Sequence, residues 1–156
     1  MLLYRILFLI LAFILVFTLV VSFWSPDRGM YDLGLEANLG TSLPEGGEIL
    51  YKIFAPMGKD AMEYAVIQYP EGSSIIDHFQ WKPIDGYAWG PINRLIESIG
   101  KYISRNEEET PIPSEYIPSR DMLYTMIGNY PSIADPYAFI VFSPTDMRVY
   151  VLIHLT

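Results

Sequence analysis

The sequence predicts an α+β domain carried behind an N-terminal membrane-spanning helix, and three observations predict it. An uncharged apolar run opens the chain, from Ile6 to Trp24. After it come two strand-like segments, an ambiguous stretch, helical sequence, and two more strand-like segments. Strands grouped with strands, and helical sequence kept apart from them, favour an antiparallel sheet with helices packed on it over alternating βα units. The expected architecture is a sheet of about four strands with two or three helices, in a single domain over residues 48–156.

The first element is "ILFLILAFILVFTLVVSFW", residues 6–24, with Thr18 and Ser22 as its only polar side chains. At about 1.5 Å per residue it makes a helix of about 28 Å, close to the hydrocarbon thickness of a bilayer. Such a helix satisfies all its backbone groups internally, and Tyr4 and Trp24 sit where amphipathic rings favour the headgroups. Residues 1–24 are therefore expected to form a signal-anchor helix, with the lipid bilayer as partner through 6–24. The rival reading is a cleaved signal peptide, cut after Ser22. The length of the apolar run and the bulky Phe23 and Trp24 after the cut speak against it. The chain has no cysteine, which excludes a lipoprotein anchor, disulfides, thiolate catalysis and cysteine-ligated zinc. Arg5 precedes the span and Arg28 follows it beside Asp27. The positive-inside rule then leans towards a cytoplasmic N-terminus and an extracytoplasmic C-terminal domain.

Only Arg5 of the ten Lys/Arg precedes the span, whereas all eighteen Asp/Glu follow it, so the remainder carries a net charge of −9. That acidity disfavours nucleic acid and anionic lipid by repulsion. Residues 25–47, "SPDRGMYDLGLEANLGTSLPEGG", are rich in Gly, Pro, Asp and Ser and read as a juxtamembrane linker.

Two strands follow: "EILYKIF" (48–54), then the turn "APMGKD", then "AMEYAVIQY" (61–69). Residues 75–81, "IIDHFQW", fit a short helix, with Ser74 and Asp77 in capping-box spacing. Pro91 suits the first turn of a longer helix, whose apolar stripe is Ile92, Leu95, Ile96, Ile99 and Ile103, with Glu97 and Lys101 as an i,i+4 pair. A second helix is expected over 120–127, capped by Ser119 and stopped by Gly128. The connector 106–118, acidic and rich in proline, reads as an exposed loop. Last come "YAFIVF" (137–142), apolar enough to be covered on both faces, and the alternating "MRVYVLIHL" (147–155), joined as a hairpin by "SPTD".

Two constellations could carry function. His78 beside Asp77, with Asp85 in "PIDGY" and His154 near the C-terminus, are the ingredients of a histidine-based hydrolytic site. Neighbouring residues diverge on a helix or strand, however, and Asp85-Gly86 is ordinary turn chemistry. Trp81, Tyr87 and Trp89 lie in "WKPIDGYAWGP" among Pro and Gly, and read as an aromatic loop able to stack on a sugar, a proline-rich peptide or an apolar patch. Internal packing of these rings is the commoner alternative. Ser98 to Lys101 matches Ser-x-x-Lys, but it lies mid-helix without the companion motifs of the penicillin-recognising enzymes. Glu107–Glu109 lacks calcium-loop spacing, and no metal site or cofactor is expected. The functional expectation is a membrane-anchored binding or accessory domain that presents the aromatic loop to a protein or cell-envelope ligand. A tethered hydrolase using His78 with Asp85 or Asp77 is the alternative, and a small subunit of a membrane complex or an immunity-type protein a further one.

Overall fold

The structure, a computed structural model, describes residues 35, 37–106, 111–132 and 134–156. The predicted span 6–24 and the first part of the predicted linker lie outside the described residues. Among the described residues no helix is long and apolar enough to cross a membrane.

β1 (Glu48–Met57) and β2 (Asp60–Gln68) form the first hairpin around Gly58-Lys59. Gly58 has φ 73°, the left-handed conformation that tight hairpin turns demand of their first central residue. β1 runs three residues further than the sequence suggests, through Ala55-Pro56-Met57. Pro56 is tolerated because β1 is an edge strand, where a missing N–H costs no ladder bond. The C-terminal hairpin pairs β5 (Tyr137–Ser143) with β6 (Arg148–Leu155), as the sequence predicts.

The sheet has six strands rather than four, all antiparallel, in the order β1-β2-β6-β5-β4-β3. One addition is β3, the two residues Lys82–Pro83. The other is β4 (Leu123–Gly128), which occupies most of the segment predicted as a second helix. The helical spacing of Met122, Leu123, Met126 and Ile127 is real, but Leu123, Thr125 and Ile127 also alternate with Tyr124 and Met126. Tertiary pairing decides between the two periods. β5 is apolar and buried from Ala138 to Phe142, and β4 supplies ladder partners along it from Leu123↔Phe142 to Gly128↔Tyr137. Ser119 caps no helix: its hydroxyl bonds the Asp121 carboxylate and its carbonyl accepts from Met122 N in a turn. Gly128 closes the strand at φ 89°, where a Cβ would come 2.4 Å from the Pro136 carbonyl oxygen.

Two helices connect the hairpins. α1 (Ile75–His78) is short, as predicted, but Ser74 makes no side-chain cap. Its C-terminal carbonyls are met instead by the Trp81 indole, which donates to Ile75 O and Ile76 O at 3.2 and 3.0 Å. α2 (Gly86–Ile103) begins five residues before Pro91. Asp85 is its N-cap, accepting from Ala88 N at 2.8 Å, so Asp85-Gly86 starts a helix where the sequence suggested a turn. The Glu97 carboxylate takes its hydrogen bond from Asn93 Nδ2 at 2.7 Å rather than pairing with Lys101.

α2 lays Ala88, Ile92, Leu95, Ile96, Ile99 and Ile103 against one face of the sheet, on Tyr64, Val66, Phe139, Val141, Tyr150 and Leu152. Side chains alternate across a strand, so the back face carries Ala65, Ile67, Ala138, Ile140, Phe142, Val149, Val151 and Ile153, all buried. Residues 111–118 of the predicted connector are less exposed than predicted. Ile112 and Tyr116 pack on the helix-side core, and a 3-10 turn at Ser114–Tyr116 is pinned from the sheet. Tyr64 donates its hydroxyl to Tyr116 O, and Arg148 Nη1 donates to Glu115 O at 2.8 Å.

The described end of the predicted linker lies against the domain. Leu35 is buried, Pro44 O accepts from the Tyr69 hydroxyl at 2.9 Å, and Ser42 O bonds His78 Nε2 at 2.9 Å. Gly47 fits so closely that a Cβ there would lie 2.6 Å from Ile67 Cγ2.

Candidate functional site

The sheet separates the three rings of the predicted aromatic loop. Trp81 lies on the back-face side, its ring 5.0 Å from Phe142 and 5.4 Å from Phe79. β3 then carries the chain past the sheet edge, and Tyr87 and Trp89 arrive on the helix side in the first turns of α2. Trp89 is half-buried against the core with the Arg120 guanidinium 5.3 Å above its ring. Tyr87 alone stands well into solvent, 68% exposed. Two of the three rings thus have packing work to do, and no single loop surface unites them.

The histidine constellation is also dispersed. His78, at the end of α1, bonds the Ser42 carbonyl and meets the Phe79 ring edge-on at 4.6 Å. Asp77 is exposed on α1, and Asp85 is occupied as the cap of α2. His154 sits on β6 directly opposite Tyr137, stacked on its ring at 5.0 Å and 21°. No hydrogen bond joins His78 to Asp77, Asp85 or His154 among the described residues. Nor do any three His, Asp or Glu among the described residues gather as metal ligands would.

What the fold does assemble is a line of rings on the helix side of the sheet. Tyr87 on α2 meets Tyr130 edge-on, with centroids 6.4 Å apart. Tyr130, in the loop after β4, meets Tyr137 at 5.1 Å and Phe139 at 5.4 Å. Tyr137, at the start of β5, stacks on His154. One helix, one loop and two strands therefore contribute one aromatic ladder, running from the start of α2 through the loop after β4, then β5, to β6. Phe139 is its buried floor, and Tyr130 and Tyr137 are half-buried. Arg94, about two helical turns beyond Tyr87, donates from Nη2 to the Tyr130 hydroxyl at 3.1 Å. The hydroxyl proton of Tyr130 is left to donate elsewhere. Burial pushes the Tyr137 hydroxyl above the ordinary phenol range, Tyr130 adds to the shift and Arg94 opposes it. The Tyr137 phenol is thus a neutral donor near pH 7. Half-wet rings with hydroxyls at their rims suit a ligand that is apolar on one side and polar on the other.

Of this surface the sequence singled out Tyr87 and His154. Tyr130, Tyr137 and Arg94 went unrecognised because each sits in a different element. The signal available was "NYPSIADPY", where two tyrosines flank a turn-rich segment leading into an apolar strand. Comparison with known protein families, with curated proteins and with solved structures gives no match.

Proposed function

We propose that this chain is a membrane-anchored binding domain, held by residues 6–24 with its C-terminal domain extracytoplasmic, that presents the tyrosine ladder to a protein or cell-envelope ligand. The observation that carries the reading is Tyr87, a large ring 68% exposed on a rigid helix, at the head of the aligned rings of Tyr130, Tyr137 and His154. Aromatic side chains lose little conformational entropy on binding, and tyrosine couples an apolar face to a hydrogen-bonding rim. The apolar run and its flanking Tyr4 and Trp24 support the anchor, and the charge flanking the span supports the orientation.

The test is capture by the full chain in detergent micelles, with purified cell-envelope polysaccharide and envelope proteins as separate probes. Tyr87→Ala is expected to lower capture at least about tenfold, the scale of an aromatic hot spot, with a melting temperature within about 2 °C of the parent. Capture indifferent to Tyr87→Ala would remove the ladder from the binding surface. For the anchor, carbonate extraction of membranes should leave the chain in the pellet, and release into the supernatant would overturn that part of the proposal.

A further inference from the structure

β4 is paired along its length on the β5 side, but on the other side β3 covers only Leu123 and Tyr124. In an antiparallel ladder alternate residues turn both backbone groups towards alternate neighbours. Ile84 N donates to Met122 O at 3.1 Å, and Lys82 pairs with Tyr124, so Met122, Tyr124 and Met126 address the β3 side. Upstream of Lys82 no residue pairs with β4, and Trp81 instead donates its indole N–H to the carbonyls of α1. The N–H and C=O of Met126 are left facing outward without a backbone partner among the described residues. A cavity of about 210 Å³ opens at that place, lined by Gln80, Lys82, Tyr124, Thr125 and Met126. The opposite edge, β1, is blunted by a register shift between Ile49 and Tyr51 and by Pro56, whereas the Thr125–Gly128 edge carries no such protection.

The shape of this gap selects its occupant. An extended chain pairing with Met126 and continuing along β4 runs into the head of β3 at Lys82. A second copy or an internal segment would have to turn away from β4 there, whereas a chain that ends at Lys82 fills the gap without a turn. A chain running antiparallel to β4, as β3 does, arrives carboxyl end first; a parallel one arrives amino end first. Lys82 decides between them. Its ammonium is exposed and has no carboxylate partner among the described residues, and Lys82 lines the gap with Gln80, Tyr124 and Thr125. An ammonium donates to a carboxylate and repels an amino terminus. The Asp85 carboxylate, which bears on the Tyr124 hydroxyl, is turned to Ala88 N as the cap of α2. We propose that the β4 edge captures the free C-terminal tail of a partner protein, which adds as a short antiparallel strand opposite Thr125 and Met126 and seats its terminal carboxylate against Lys82. The gap adjoins the head of the ladder, since its lining residue Tyr124 feels Tyr87, but it shares no residue with it.

The experiment selects, on the full chain in detergent micelles, from random octapeptides displayed with free C-termini. Enriched peptides are then made as free acids and as C-terminal amides, and binding is read by fluorescence anisotropy. Free acids are expected to bind, amidation to weaken binding about tenfold or more, and Lys82→Ala to do the same, as loss of a charge-assisted hydrogen bond requires. Met126→Pro, which deletes the outward N–H, should abolish binding, while Tyr87→Ala leaves it unchanged. Lys82 is exposed, so Lys82→Ala carries the decision should Met126→Pro fail to fold. No enrichment, amides that bind as tightly as acids, or indifference to Lys82→Ala would each overturn the proposal. Peptides lost only with Tyr87→Ala would belong to the ladder instead, and self-association abolished by Met126→Pro would make a second copy the occupant.

Discussion

Trp89 and Tyr87 sit two residues apart on α2, yet substitution should separate them cleanly. Trp89 is half-buried on the core beneath Arg120, so Trp89→Ala should cost about 2 kcal/mol in urea denaturation, from the apolar area it returns to water. Tyr87 covers little, and its loss should leave the denaturation midpoint unmoved. The one buried carboxylate identified among the described residues makes a different prediction. Glu63 is 3% exposed on β2, with Lys52 Nζ 3.3 Å away on the neighbouring strand. Burial raises its pKa above the ordinary value of 4.5, and Lys52 opposes that only in part. The folded state therefore holds this proton more tightly than the unfolded chain does. The stability it contributes is complete below the unfolded pKa and is lost as pH rises through the folded one. Against a Glu63→Gln reference, the parent should lose melting temperature as pH rises above the ordinary carboxyl value of 4.5. A difference that grew in the parent's favour over that range would show the Lys52 attraction outweighing desolvation.

At the scale of elements, α2 depends on a cap that the sequence displays in disguise. Asp85→Ala removes the acceptor from Ala88 N and should destabilise the domain by about 1 kcal/mol, with the urea m-value unchanged. Gly128→Ala should cost more than that, since φ 89° is strained for alanine and its Cβ would meet the Pro136 carbonyl. These two sites also explain what could be read in advance. The four long strands and the apolar stripe of α2 were legible because burial on one or both faces imposes a period on the sequence itself. The strand at 123–128 was not, because its residues satisfy both periods and partners nine to nineteen residues away, on β5, settle the choice. The start of α2 was missed for a related reason: Asp-Gly opens a turn or a helix with equal local ease, and Ala88, packed under the sheet, decides. The binding surfaces were the least legible. Tyr87 stands out in sequence, but its alignment with Tyr130 and Tyr137 exists only after β4 and β5 pair, and the gap at Met126 exists only because β3 pairs with β4 no further than Lys82.

For the whole molecule, the sheet is a middle layer rather than a half-solvated surface. β2, β6 and β5 are apolar on both faces, so a stable domain needs cover on each. α2 supplies it on one side. On the other, the described contributors include Ile75, Trp81 and the stretch before β1, where Gly47 lies tight on Ile67 and Tyr69. Residues from Leu35 onward belong to the same compact unit as the sheet, which moves the start of the fold upstream of β1. Removing them should expose apolar back-face area and break the Tyr69–Pro44 and His78–Ser42 hydrogen bonds. A chain beginning at residue 48 is therefore expected to melt well below one beginning at residue 32. Its amides in β2 and β6 should also exchange faster, because those central strands report global unfolding. If 35–47 were a tether without a packing role, the two chains would melt together and protect the same amides.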